Sequence, residues 1–506
     1  MPRIMPRNHD TNPFLGIDLG TTYSAIARWN GQSPESYQVF NPAGETLQSV
    51  VYYNPDTKEF LVGKSAYKRG LLNPENMVVG VKRAMDDGCK EIEIGGIKLS
   101  PIQISSKILE YLYKDVAKRY PDGEFAGSGT VVTVPYYFKA HQCEHTRKAA
   151  ELAGIKCLGI LQEPIAASLS YSWQIIRANP EKVFNETILV FDLGGGTFDL
   201  TLFQLSHSPS KVLFEVMASG GDDRLGGMDF DQELMAFILT RENLSLSGLP
   251  TREKRKSEQQ ILEQVNEAKH TLSVSQSTFI TVPNVLPGIN IDVDITRNEF
   301  EKVVQKYIDK IEAILEKFWE TTKTALPSFK CADIDLVILV GGSSKIPKIR
   351  ELLNDKIPSV KVCANIKPDL CVAEGAAMYA AYLDDRDVFG RELEIRTRTC
   401  HDLGIEIAGG RFHSIIKSNR KTPCQQVQSF TTDLDDVTSI NIKVFQGSSK
   451  LVKDNSFIGE LHISGLPSRP KGSLDINVLF KVNEEQQLSV SVDCEGIRKA
   501  ATLKFT

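Results

Sequence analysis

A motif that occurs twice constrains this chain more than anything else in it. Gly16-Ile-Asp-Leu-Gly-Thr-Thr-Tyr-Ser and Phe191-Asp-Leu-Gly-Gly-Gly-Thr-Phe-Asp follow one plan: apolar strand, Asp, apolar residue, glycine-rich turn, Thr, second strand. Glycines such as Gly20 in the first copy and Gly194, Gly195 and Gly196 in the second let a backbone turn tightly and aim N–H groups at phosphate oxygens. Asp18 and Asp192, each at a strand end, are placed to hold Mg2+ through water, the mode that ion prefers. Thr21, Thr22 and Thr197 can offer hydroxyls to phosphate. Two unrelated β-turns would not repeat the Asp and the Thr at matching places, so the pair implies a duplicated fold clasping one polyphosphate. Neither copy is a GxxxxGK[ST] loop or a dinucleotide fingerprint. A third glycine element, Leu339-Val-Gly-Gly-Ser-Ser-Lys-Ile-Pro, reads as a strand, the Gly341–Gly342 turn and a helix start with Ser343 as cap. A helix N-terminus suits an anion or a ribose.

Around these motifs the chain is ordinary. Its 506 residues suffice for about three domains, and 41% hydrophobic with 24% charged residues is typical of a globular protein. A formal net charge of -5 gives no electrostatic case for nucleic acid or an anionic membrane as partner. No apolar run is long enough for a transmembrane helix, and MPRIMPRNHDTNPF has no apolar stretch to make it a secretory signal. Nine cysteines without a CxxC pair suggest free thiols in a reducing compartment and argue against a zinc site. A cytoplasmic chain, with the nucleus within its reach, is expected. His141, His145, His401 and His413 form no ligand spacing and read as solvated surface residues.

Through residue 386 short β-branched runs alternate with helical stretches, an α/β pattern. From Gly404 on, short alternating strands are separated by turn residues, an all-β pattern. The expected organisation is a disordered N-terminal extension over 1–13, an α/β nucleotide-binding domain over 14–386, a short linker over 387–402 and a β-sandwich over 403–506. The last strand signal is followed by no helical segment.

In these features the chain resembles the heat shock protein 70 chaperones, built on the actin-like two-lobed ATPase fold followed by a β-sandwich peptide-binding domain. The resemblance is carried by GIDLGTTYS (16–24), VKR (81–83), VVTVPYYF (131–138), LQEPIAASLSY (161–171), FDLGGGTFDL (191–200), RLGGMDFD (224–231), LVGGSSKIPKIRELL (339–353) and PDLCVAEGAAMYAA (368–381), and it covers nearly the whole chain from about residue 14. It implies slow hydrolysis of ATP to ADP with Mg2+ and companion K+, and binding of unfolded polypeptide segments. Asp18, Asp192 and Asp199 match the carboxylates around the ions, with Tyr23 nearby. Lys82 matches the lysine that orients the attacking water, Glu163 the glutamate that helps place metal waters, and Thr197 the hydroxyl facing the γ-phosphate. Such assignments suit phosphoryl transfer, which needs positioning and charge neutralisation. Gly226, Gly227, Lys269, Ser273, Gly341, Gly342, Ser343 and Asp369 fall in the family's nucleotide-binding segments. Ile405, Phe430 and Ile440 match its apolar peptide pocket, and Ala408 one of two residues arching over the peptide.

The departures from the family are local. In the adenine pocket a Glu is replaced by Asn266, one stacking Arg by His270 and another by Lys345. Planar guanidinium stacks on a base better than ammonium, so weaker or less selective nucleotide binding is expected. Met228 stands for a carboxylate near the phosphates. Pro135 of the family's switch remains, but the Arg eight residues on is Cys143. The stretch that docks J-domain co-chaperones reads Gly159-Ile-Leu-Gln-Glu-Pro-Ile, without its Arg, Asn and Thr. The apolar linker has become Glu392-Leu-Glu-Ile-Arg, whose charges would oppose docking by their desolvation. Stimulation by a J-protein, nucleotide exchange by a dedicated factor and coupling between domains are therefore open, and no helical lid over the peptide site is expected. The alternative is a non-hydrolysing, nucleotide-bound co-chaperone or ribosome-associated assembly partner.

Overall fold

The repeated motif sits in a repeated sheet. In the first sheet Phe14–Asp18 lies antiparallel to Tyr23–Trp29, which pairs with Pro34–Ser36. On its other side Phe14–Asp18 runs parallel to Thr130–Val134, and that strand parallel to Cys157–Gln162. In the second sheet Phe184–Leu193 lies antiparallel to Phe198–Ser208, which pairs with Lys211–Asp222. Phe184–Leu193 likewise runs parallel to Leu336–Val340, followed by Lys361–Val362. Order and direction of the five strands agree one for one. Even the crossovers correspond, since parallel neighbours need one: helix Ala140–Leu152 joins the last two strands of the first sheet, and Pro347–Lys356 those of the second. The computed structural model that shows this describes residues 13–38, 44–120, 129–357, 361–363, 367–483 and 488–502. The N-terminal extension expected over 1–13 lies, except for Pro13, outside them.

Local chemistry explains the elements. Thr130–Val134 is buried along its whole length, as a parallel strand covered on both faces must be. Helix Pro101–Ala117 starts with Pro101 in its first turn and a reciprocal capping box between Ser100 and Gln103. Helix Cys371–Asp384 is rich in alanine because it packs closely against the first sheet, with Ala373 and Ala377 sharing an apolar cluster with Ala25 and Ala27. No helix among the described residues is long and apolar enough to cross a membrane.

From Leu403 on, the regular elements among the described residues are strands apart from one short turn of helix. They form two four-stranded antiparallel sheets that share one core, with Ile405, Val444 and Ile463 from one and Val478, Phe480 and Val490 from the other. Ile476–Val482 alternates inward apolar and outward residues, the period-two signature of a half-buried strand.

Residues 387–402, expected as a short linker whose charges resist docking, behave otherwise. Glu392–Arg396 is a strand, paired parallel with Lys211–Glu215 as the sixth strand of the second sheet. Strand alternation removes the expected desolvation penalty. Leu393 turns inward and is buried, while Lys211 takes both Glu392 at 3.1 Å and Glu394 at 2.5 Å. The Leu393 carbonyl accepts from Tyr382 Oη at 2.6 Å. The following segment is pinned as well. Cys400 Sγ donates to the Tyr136 carbonyl at 3.1 Å, and the Thr397 and Thr422 hydroxyls lie 2.7 Å apart. Gln446 Oε1 accepts from the Ala140 N–H at 3.2 Å.

The expected surface histidines are corrected too. His141 and His145 are buried; His141 Nε2 meets Asp86 at 3.0 Å, and His145 Nδ1 donates to the Met85 carbonyl at 2.7 Å. His401 Nε2 bonds the Tyr137 carbonyl at 3.0 Å, and His413 stands edge-on to Phe430 with ring centroids 5.4 Å apart. A ring nitrogen that meets a carbonyl or carboxylate keeps a hydrogen bond in place of water, which makes burial of His141, His145 and His401 tolerable.

Candidate nucleotide and catalytic site

The two glycine hairpins face and touch each other. A methyl group added at Gly195 would lie 1.9 Å from Thr22 Oγ1, so the second loop can approach the first this closely only as glycine. The Gly194 carbonyl accepts from the Gly227 N–H at 3.0 Å, and the Gly195 carbonyl from the Met228 N–H at 2.8 Å. Ser343 does not cap a helix as expected. Its hydroxyl donates to the Gly194 carbonyl at 2.9 Å, while Gly342–Lys345 forms a short 3-10 turn before helix Pro347–Lys356. The third glycine element thus buttresses the second hairpin. Its Gly341 adopts a left-handed φ of 79°.

Four acids and one base meet below the hairpins. Asp18 ends its strand, and Asp192 and Asp199 oppose each other directly across theirs. Lys82 lies in the 3-10 turn Val81–Ala84, and Glu163 opens helix Glu163–Ala178 without capping it. The Lys82 ammonium donates to Glu163 Oε1 at 2.6 Å, with residue exposures of 4% and 7%. Thr133 Oγ1 donates to Asp18 Oδ1 at 3.2 Å, and the Tyr137 N–H to Asp199 Oδ1 at 2.9 Å. Thr197 is buried beside Asp199 in the chain, and Tyr23 is exposed.

Charge in this cluster is not balanced. Burial, with Glu163 next, pushes Asp18 up to about 7 and Asp199 up to about 8. The same two causes, joined by Asp199 and Asp18, raise Asp192 well above the usual carboxylate range. Burial alone would lower Lys82, but Glu163, Asp18 and Asp192 outweigh it and its pKa is raised. Asp199 Oδ2 is buried without a hydrogen-bond partner. Among the described residues no three His, Cys, Asp or Glu side chains converge to ligate a metal directly. A surplus of buried carboxylate, an orphaned oxygen and no direct cage fit a hydrated divalent cation beside a polyphosphate.

A profile of the Hsp70 protein family matches residues 14–94 and 84–505. The chain belongs to the Hsp70 family. It is 33% identical over 496 residues to the chaperone protein DnaK of Halobacterium salinarum, covering 97% of this chain and 74% of that one. It is 33% identical over 520 residues to the chloroplastic heat shock 70 kDa protein 7 of Arabidopsis thaliana, covering 97% and 69%. It is an ATP-binding chaperone of the Hsp70 type.

In this Hsp70 the side of the cleft expected to hold the base differs in character from the phosphate side. Lys269 is buried and paired with Asp231 at 2.7 Å, its ammonium also donating to the Gly227 carbonyl at 3.1 Å. Asn266 Nδ2 donates to the same Asp231 at 3.0 Å, and Ser273 Oγ to the Lys269 carbonyl at 3.1 Å. His270 is exposed; burial of its surroundings and the nearby Lys269 lower its pKa. Lys345 pairs with Asp369 at 2.8 Å, both about half exposed. Arg83 was missed in the sequence except as part of its VKR run. It grips Asp229 with two nitrogens, at 3.1 and 2.5 Å, and donates from Nε to the Gly196 carbonyl at 3.0 Å, linking the Lys82 turn to the second glycine loop. Met228 reaches the same seam, close to where a side chain at Gly80 would stand.

Of the residues expected at a peptide site, Ile405 is part of the core shared by the two four-stranded sheets. Phe430 and Ile440 are half-buried at its margin, and Ala408 is exposed in the turn after Leu403–Ile407.

Proposed function

We propose that this Hsp70 hydrolyses ATP slowly in the cleft between two actin-like lobes, and couples that reaction to the binding of extended, apolar polypeptide segments by a β-sandwich over 403–506. The reading rests chiefly on the buried Lys82–Glu163 pair lying among Asp18, Asp192 and Asp199. Asp18, Asp192 and Asp199 would hold hydrated Mg2+, with K+ as a companion, and Glu163 would orient the metal's waters. The ion, when bound, supplies neutralisation of phosphate charge. Lys82 would align the attacking water and Thr197 face the terminal phosphate, while the N–H groups of the glycine loops receive the phosphate oxygens. Gly226, Gly227, Lys269, His270, Ser273, Gly341, Gly342, Ser343, Lys345 and Asp369 would surround the nucleoside. Ile405, Phe430 and Ile440, with Ala408 beside them, would receive the peptide at the sandwich edge, a common mode for extended segments. Unfolded or nascent chains are the substrates, with J-domain and exchange-factor partners acting weakly, in the cytoplasm.

Single-turnover hydrolysis by the purified chain, with Lys82→Ala beside it, tests the reading. Slow turnover in the wild type and loss of it in the variant, with ATP still bound by both, is the expected result. Equal turnover in both removes Lys82 from its role. ATP binding without turnover in the wild type favours the non-hydrolysing assembly partner, in which nucleotide stabilises the fold by linkage.

A further inference from the structure

Asp199 is held by the backbone N–H of Tyr137, and the carbonyl of the same residue, one peptide further on, is held by a histidine. The Tyr137 N–H donates to Asp199 Oδ1 at 2.9 Å, the one hydrogen bond that fixes this carboxylate among the described residues, since Oδ2 has no partner. The carbonyl of the same residue, Tyr137, bonds His401 Nε2 at 3.0 Å. A carbonyl oxygen can only accept, so His401 carries its proton on Nε2 and donates it. The two rings also meet edge-on, with centroids 4.5 Å apart. His401 belongs neither to the strand Glu392–Arg396 nor to Leu403–Ile407 but to the short strap between them. From the same strap Cys400 Sγ donates to the Tyr136 carbonyl, which shares a peptide group with the Tyr137 N–H. Lys139 and His141, beyond Tyr137, and the adjacent Asp402 are the ionisable groups that act on His401. A surface anchor would need no such arrangement: a half-buried imidazole donor fixed on the carbonyl of the residue whose N–H orients a buried acid.

We propose that His401 is a positioning residue of the ATP site: by holding the Tyr137 carbonyl it fixes the residue whose N–H sets the carboxylate of Asp199. The inference rests on the reading of Asp199 as part of a hydrolytic site. It assigns to a residue 202 positions away in sequence, outside both nucleotide loops, a share in the geometry of that site. Leucine at 401 fills similar space without a donor; glutamine reaches a similar place with an amide N–H.

The test uses the full chain with His401→Leu and His401→Gln. Hydrogen exchange of the Tyr137 amide reads the bond to Asp199 directly, and single-turnover hydrolysis reads its consequence. His401→Leu is expected to speed exchange at Tyr137 by about tenfold and to slow turnover severalfold with ATP affinity held, and His401→Gln to restore both. In an Asp199→Ala background, where the bond is already gone, His401→Leu is expected to change Tyr137 exchange no further. Unchanged Tyr137 exchange in His401→Leu, or equal impairment of the Leu and Gln variants, overturns the proposal. A wild-type chain that binds ATP without turnover sinks the hydrolytic reading alone, and the exchange measurements then still decide the role of His401.

Discussion

Lys82 Nζ lies 2.6 Å from Glu163 Oε1, both groups are nearly sealed from solvent, and 81 residues of chain separate them. The pair ties the 3-10 turn Val81–Ala84 to the start of helix Glu163–Ala178. Lys82 also offsets, by its charge, three further buried acids nearby, Asp18, Asp192 and Asp199. Breaking one partner of such a pair leaves its mate uncompensated.

Lys82→Met is therefore expected to destabilise the nucleotide-free protein by about 3 kcal/mol. Lys82→Met combined with Glu163→Gln should recover much of that loss, because the stranded charge is gone. Urea unfolding of the wild type and the two variants measures it. A double variant no more stable than the single one would show that charge stranding is not the cause.

The fit between the glycine hairpins predicts a suppressor. Gly195→Ala places a methyl 1.9 Å from Thr22 Oγ1 and must push the loops apart. ATP affinity is expected to fall at least tenfold, or about 1.4 kcal/mol. Thr22→Ala in the same chain removes the clashing oxygen and should return part of the affinity. Calorimetric titration of single and double variants checks both statements.

The docked strand predicts unequal effects along five residues. Leu393 is buried and Glu394 paired at the surface. Leu393→Ala should cost about 2 kcal/mol of local stability and make the segment 387–402 a site of rapid limited proteolysis. Glu394→Ala should cost under about 1 kcal/mol and leave the segment resistant. Equal cleavage of the two variants would contradict the inward-outward alternation.

His401 predicts a pH dependence. Burial, only partly offset by the Tyr137 carbonyl, pushes its pKa down to about 4 from 6.5. Between those values the unfolded chain binds a proton that the folded chain refuses, so stability is highest above pH 6.5 and falls as pH drops towards 4. The full loss is on the order of 3 kcal/mol. Unfolding free energies of the wild type and His401→Gln across this range should converge at low pH if the wild type starts the more stable. Parallel curves would assign the slope to other groups.

Legibility followed the range of the interactions. The paired hairpins, with Asp18 and Asp192 at their strand ends, were readable because motif and function lie within nine residues of each other. Lys82 and Glu163 could be named only through the family resemblance; that they pair is set by tertiary packing. The charges of Glu392-Leu-Glu-Ile-Arg were read as a bar to docking, although the same alternation is what an edge strand needs when Lys211 stands opposite. His401 looked like a surface residue because its partner is a backbone carbonyl, which has no signature in sequence. Ser343 was assigned to a helix cap because its strand–glycine–helix setting favours one, and the Gly194 carbonyl that takes its hydroxyl comes from another hairpin.

The strand Glu392–Arg396 is the one element of the second sheet with no counterpart in the first. Beyond joining two parts of the chain, it closes a long row of backbone donors and acceptors on Lys211–Glu215. Were it to peel away, that row would become an open template for any extended chain able to pair with it. Five residues thus guard the molecule against self-association, with Glu392, Glu394 and Arg396 presenting charge where a sticky edge would otherwise be.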